Sequence, residues 1–186
     1  MRNCFHAPVG VLVPALLLPM LSAAPAFAHP GDLHTHGFAD GVLHPLFGID
    51  HMAAMVTVGL YAALIGGRAV LGVPAVFVSV MLVGGILGMA GFPLPLVEPM
   101  IYTSILVFVV LAALPVTRRA STAAAVAGWF ALFHGYAHGA EMPADASAIG
   151  YAAGFALATA LLHGAGIGIG IGARHLFARR AVMPRG

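Results

Sequence analysis

The sequence predicts an all-α polytopic membrane protein, a compact bundle of about five transmembrane helices after a cleavable signal peptide. Three observations predict it. Charged residues make up 8% of the 186 positions, against roughly 25% in soluble chains, and mean hydropathy is +1.00. Apolar runs of about 20 residues, enough to cross a bilayer, recur along almost the whole chain and leave no room for a soluble second domain. Arginines and acids alternate between successive gaps in those runs.

Residues 1–28 have the layout of a secretory signal. Arg2 supplies the positive start, residues 9–21 a short apolar core, and Ala26-Phe27-Ala28 a cleavage site before His29. The competing reading is an uncleaved anchor helix; Pro14, Pro19 and Pro25 and the shortness of the core argue against it. Residues 29–40 then form a polar, histidine-containing stretch outside the membrane. Its His29, Asp32, His34 and His36 suit either cation capture or a plain solvated leader.

Within the bundle, residues 41–173, five spans are expected near residues 41–65, 70–90, 99–116, 121–140 and 147–172. Residues 174–186 follow as an Arg-rich cytoplasmic tail. Arg68 follows the first span, Arg118 and Arg119 the third, and Arg174, Arg179, Arg180 and Arg185 the fifth, so all share one face. Asp32, Asp40, Glu98, Glu141 and Asp145 lie at the other face. Positive loops stay in the cytoplasm, which puts the mature N-terminus in the periplasm of a bacterial inner membrane and the C-terminus inside. A secretory signal requires the same orientation. The fifth span repeats glycine at Gly164, Gly166, Gly168, Gly170 and Gly172. The pairs Gly164/Gly168 and Gly168/Gly172 have the small-xxx-small spacing of close helix packing.

Ionisable residues inside a bilayer are costly and mark ion pathways or catalytic sites. Two motifs carry them. HPLFGIDH holds His44, Asp50 and His51; FHGYAHGAE holds His134, His138 and Glu141 at i, i+4 and i+7, one helical stripe. His134 and His138, one turn apart, could chelate a single ion. On a straight helix His44 and His51 would lie about 10.5 Å apart along the axis, too far for one ion. Either the helix breaks near Pro45 and Gly48, as binding-site helices of transporters do, or the two serve successive positions of a moving ion. Both motifs fall in the outer half of the membrane, which favours their facing each other. His163 lies deeper and His175 at the cytoplasmic end, giving imidazoles at a series of depths. Met52, Met55, Met81 and Met89 are expected to pack or face lipid.

Imidazole and carboxylate without thiolate suit first-row divalent ions such as nickel, cobalt, zinc or iron(II); magnesium or calcium would require more oxygen ligands. Cys4 is the only cysteine, so neither an internal disulfide nor a thiolate cage is available. The chain has no lysine, which excludes a Walker A phosphate loop and a retinal-type Schiff base. The pI of about 9.1 rests on the topological arginines, so no nucleic-acid partner is expected.

The two motifs, in this order behind a signal segment, resemble the HupE/UreJ family of nickel permeases. The resemblance covers essentially the whole chain. It implies inward transport of divalent nickel in support of hydrogenase or urease maturation, with cobalt as the possible variation and no resident cofactor. It assigns the ion site to His44, Asp50, His51, His134, His138 and Glu141. His29, His34, His36 and His163 are added from their position in the chain rather than from the resemblance. Two other functions compete. One is an intramembrane metalloenzyme with zinc or iron on His134, His138 and Asp50, and only Glu141 left as a base. The other is a haem-binding subunit, which a Soret band would reveal.

The expected topology is directly testable. A reporter active only in the periplasm should work when fused after Ala144 and fail after Arg119 and at the C-terminus; a periplasmic C-terminus would show that the spans or the signal are miscounted.

Overall fold

A computed structural model describes residues 37–114, 119–143 and 146–182. The signal segment, His29, Asp32, His34 and His36, and Arg118, Asp145 and Arg185 lie outside the described residues. Among the described residues every regular element is helical: α1 Phe38–Phe47, α2 Ile49–Ile65, α3 Ala69–Met89, α4 Val97–Ala113, α5 Ala120–Ala140 and α6 Ala148–Val182.

The first expected span is two helices, not one, bent by 84° at a single residue. Gly48 is that residue. It takes an extended conformation, φ −77° and ψ 100°, ends α1 through its N–H to the His44 carbonyl, and starts α2 as its N-cap. Pro45 sits inside α1, where it cannot donate to the ladder and weakens the last turn before the break. The chain next reverses at Gly66 and Gly67, both at positive φ (81° and 55°), a conformation glycine adopts without steric cost. Between α3 and α4 the turn runs through Gly91 at φ 69° and Leu96 at φ 63°. The Tyr136 hydroxyl on α5 clamps it by donating to the Phe92 carbonyl at 2.6 Å.

Two parallel helix pairs build the bundle. Along α3 and α5, Met81 lies against Gly135, Gly84 against Leu132, and Gly88 against Tyr136. Along α2 and α6, Val56 lies against Gly166, Gly59 against His163, and Ala63 against Gly170. Parallel α2/α6 and α3/α5 pairs are what a chain re-crossing at each turn produces. In both pairs backbone rests on backbone, and a Cβ on Gly135 would strike the Met81 carbonyl oxygen. In α6 the contacts fall on the register opposite to the one read from spacing. Gly166 and Gly170 meet α2, while Gly164, Gly168 and Gly172 have open space. Spacing identifies a small-residue stripe, but two interleaved stripes have the same spacing, and only packing selects between them.

Met55, Phe77, Met81 and Phe108 are fully buried at the centre, whereas Leu71, Ile149 and Leu161 face outward. Large apolar side chains pointing outward fit a lipid solvent. By length and hydropathy, Ala69–Met89 and Ala148–Leu176 suffice to cross a membrane, and the bent α1–α2 pair makes a third if taken as one broken span. The other two expected spans correspond to α4, an apolar helix of only 17 residues, and α5, which trades apolar surface for function. α5 carries His134 and His138 in a helix whose second half is almost wholly buried, so protein rather than lipid surrounds it. Met52, Met55 and Met81 do pack; Met89 lies on the outer face.

Gly135→Ala should destabilise the detergent-solubilised protein by roughly 1–3 kcal/mol, the cost of overpacking, and so lower its melting temperature. Gly168→Ala, into open space, should leave it unchanged or slightly raised. Equal effects at the two positions would contradict the packing register.

Candidate functional site

The bend at Gly48 determines what the two motifs can do together. It turns α1 away from α2, so His44 and His51 approach α5 from different directions. The His44 ring meets His138 at 4.6 Å between centroids, and the His51 ring meets the same His138 at 4.3 Å. His51 also meets His134 at 5.0 Å. Of the alternatives for His44 and His51, the broken helix is therefore the one observed, with its break at Gly48.

Oxygen atoms hold three of the four rings from behind. Asp50 Oδ1 accepts the backbone N–H of its neighbour His51 at 2.9 Å and lies 3.0 Å from His51 Nδ1. Glu141, just past the end of α5, places Oε2 at 3.1 Å from His44 Nε2. Ser104 on α4, fully buried, places Oγ at 2.9 Å from His134 Nε2. The atoms left over are His51 Nε2, His134 Nδ1 and both nitrogens of His138, all buried and without a hydrogen-bond partner in the protein. Such bare nitrogens cost free energy unless something accepts their lone pairs or protons. Around His138 the surroundings are mostly apolar. Phe155 lies 3.9 Å from the His138 ring, and an apolar cavity lined by Met81, Ile86, Met89, Tyr151 and Phe155 borders it.

The six motif residues thus come together from α1, α2 and the end of α5. Asp50 and Glu141 do so as partners of histidines rather than as free carboxylates. Among the described residues no three His, Cys, Asp or Glu side chains already form a group that could hold a metal ion. The rings meet edge to face. Burial rises inward: the Glu141 and His44 side chains are 60% and 36% exposed, His51 12%, and His134 and His138 0% and 1%.

His163 stands apart from this group. It is buried, both ring nitrogens lack a partner in the protein, and the Phe77 ring lies between it and His134, 5.0 Å from one and 5.8 Å from the other. His175 is exposed. Sequence reasoning missed Ser104 and Phe77. Ser104 was visible only as a hydroxyl in an apolar segment, and Phe77 gave no signal among so many apolar residues. Arg174 ties α6 to α2: its guanidinium donates to the Ala63 carbonyl at 3.1 Å, near the end of α2.

Fold and site define an all-helical membrane protein that buries a constellation of histidines, each steadied by an oxygen except His138, inside its helix bundle. The sequence matches the HupE / UreJ protein family over residues 16–184, and the chain belongs to that family. It is 44% identical over 162 residues to Protein HupE of Rhizobium leguminosarum bv. viciae, a match that covers 87% of this chain and 82% of that protein. No solved structure matches it.

The Glu141 carboxyl is held below its ordinary range, first by its hydrogen bond with His44. Because the folded group titrates below an unfolded one, the contact contributes stability above the unfolded carboxylate range and loses it as pH falls through the lower folded value. His44→Ala should raise the Glu141 midpoint, followed by carbon-13 NMR. An unchanged midpoint would mean that the pair does not form.

Proposed function

We propose that this protein is an inner-membrane permease that carries divalent nickel, with cobalt as the alternative ion, from the periplasm to the cytoplasm. The observation that carries the proposal is the set of buried imidazole nitrogens without partners where the two motifs meet. Imidazole is a preferred ligand for such ions, and intramembrane histidines line ion pathways. Membership of the HupE/UreJ family supports the same reading, and with it supply of nickel for hydrogenase or urease maturation.

The ion meets Glu141 and His44 at the exposed rim first. It exchanges water for imidazole at His51, His138 and His134, then passes the Phe77 ring to His163. The inward fall in exposure makes dehydration stepwise, which lowers the cost of any single step. Conduction requires sites that bind weakly enough to release. The arginine distribution supports an inward-facing C-terminus, and the polar N-terminal stretch with His29, His34 and His36 would gather ions outside.

Radiolabelled nickel uptake into proteoliposomes, with cobalt and zinc as competitors, tests the proposal. Asp50→Asn keeps the volume and an acceptor oxygen but removes the negative charge that backs His51 and offsets the ion's dehydration, and should lower uptake about 10–100-fold, as weakening a ligand's supporting partner does. His134→Ala should do at least as much. If both serve one ion, the double variant should be little worse than the poorer single variant, because residues that act as a unit are not additive. A double loss equal to the product of the single losses would separate the two motifs into independent steps.

A further inference from the structure

Ser104 belongs to neither motif, yet its side chain makes a hydrogen bond that joins α4 to the histidine group. Its hydroxyl has one hydrogen to give. That hydrogen goes to the Ile101 carbonyl on its own helix, at 2.6 Å. Toward His134 Nε2, 2.9 Å away, Oγ can therefore only accept. The alternative, with the hydroxyl turned to His134, would leave two oxygens 2.6 Å apart with no proton between them. His134 is fully buried, so no solvent competes for either nitrogen.

We infer that Ser104 is a positioning residue that fixes His134 as the Nε2–H tautomer and so leaves Nδ1 as the bare, metal-ready nitrogen. This rests on the reading of the site as an ion site. A neutral imidazole has one N–H; once it is committed to Ser104, the lone pair belongs to Nδ1, the atom that lacks a partner in the protein. The His51 ring, in contact with His134, is set the opposite way. Asp50 takes the hydrogen of His51 Nδ1 at 3.0 Å, and Nε2 is the bare atom. One ring thus offers Nδ1 and its neighbour Nε2, so two lone pairs are available to one cation without a prior proton shift. A carboxylate selects one tautomer and a serine the other. The weaker neutral acceptor on His134 keeps that ligand less basic than a carboxylate-backed one, which suits an ion that must leave again.

Nitrogen-15 NMR of the full-length, histidine-labelled protein tests the assignment directly, with the His134 signal identified by its loss in His134→Gln. The expected pattern is a protonated Nε2 and an unprotonated Nδ1 in wild type. A protonated Nδ1 overturns the inference whatever the transport data show. In parallel, Ser104→Ala should weaken nickel binding about 10–100-fold, as removal of the group that orients a ligand does. Ser104→Thr, which keeps the hydroxyl, should restore it. If His134→Ala abolishes nickel binding while Ser104→Ala binds like wild type, the positioning role is wrong and the ion site stands. If His134→Ala binds like wild type too, the site reading itself fails. Should Ser104→Ala not fold, the wild-type tautomer still decides.

Discussion

A straight helix from Phe38 to Ile65 would hold His44 and His51 about 10.5 Å apart along its axis, each facing a different level of its neighbour. The 84° turn at Gly48 removes that separation, and most of the site depends on it. With the turn, both rings reach His138, and Asp50, in the first turn of α2, stands beside His51. A break inside a membrane leaves backbone groups without their helical partners, a cost tolerated only where protein surrounds them. Here the N–H of Gly48 still reaches the His44 carbonyl and its carbonyl receives the Met52 N–H. The ladder is interrupted for the residues that follow, and the Asp50 carboxylate takes up the His51 N–H. Gly48 itself has no side chain to crowd Asp50 and His51.

The bend is useful only if α5 and α6 are fixed relative to it, and glycine provides that rigidity. Lipid tails are as apolar as leucine, so the hydrophobic effect gives helices in a bilayer little reason to associate; close van der Waals packing does. Gly84, Gly88, Gly135 and Gly139 bring α3 and α5 into backbone contact, and Gly59 and Gly166 do the same for α2 and α6. Gly59 lies against His163 itself, and Gly135 and Gly139 flank His138 on α5. Side chains that carry chemistry and contacts that carry packing thus alternate along the same helices. A loosened pair would move a ligand as well as a helix.

Much of this was legible in the sequence, for identifiable reasons. Intramembrane histidines stand out because everything around them is apolar, so His44, His51, His134 and His138 could be named, and the shared depth of the two motifs suggested that they face each other. The all-helical membrane class followed from composition. What was hidden depends on contacts between distant segments. Gly48 rather than Pro45 makes the break: a helix can contain a proline, as α1 does, whereas a side chain at position 48 would crowd Asp50 and His51, a contact that spacing does not reveal. Gly166 and Gly170, not their neighbours, face α2. Spacing alone gives Asp50 and Glu141 the look of ligands, while their hydrogen bonds set them behind His51 and His44. Ser104, 30 residues away from His134, has no signature beyond being polar in a greasy helix.

On the proposed reading, the supports answer a tension that any permease for a dehydrated ion must resolve. Bare imidazole nitrogens attract the ion, but an imidazole free to rotate or exchange tautomers would bind it less reproducibly, and one backed everywhere by carboxylates would hold it too long. Grading the backing oxygen resolves this: carboxylates behind His44 and His51, a neutral serine behind His134, and no oxygen behind His138. His138 is also the ring that touches both His44 and His51, so the least restrained histidine sits where the motifs meet. On the proposed route, an ion arriving from the rim would leave the carboxylate-backed His44 and His51 for His138 and His134, whose backing is absent or weaker.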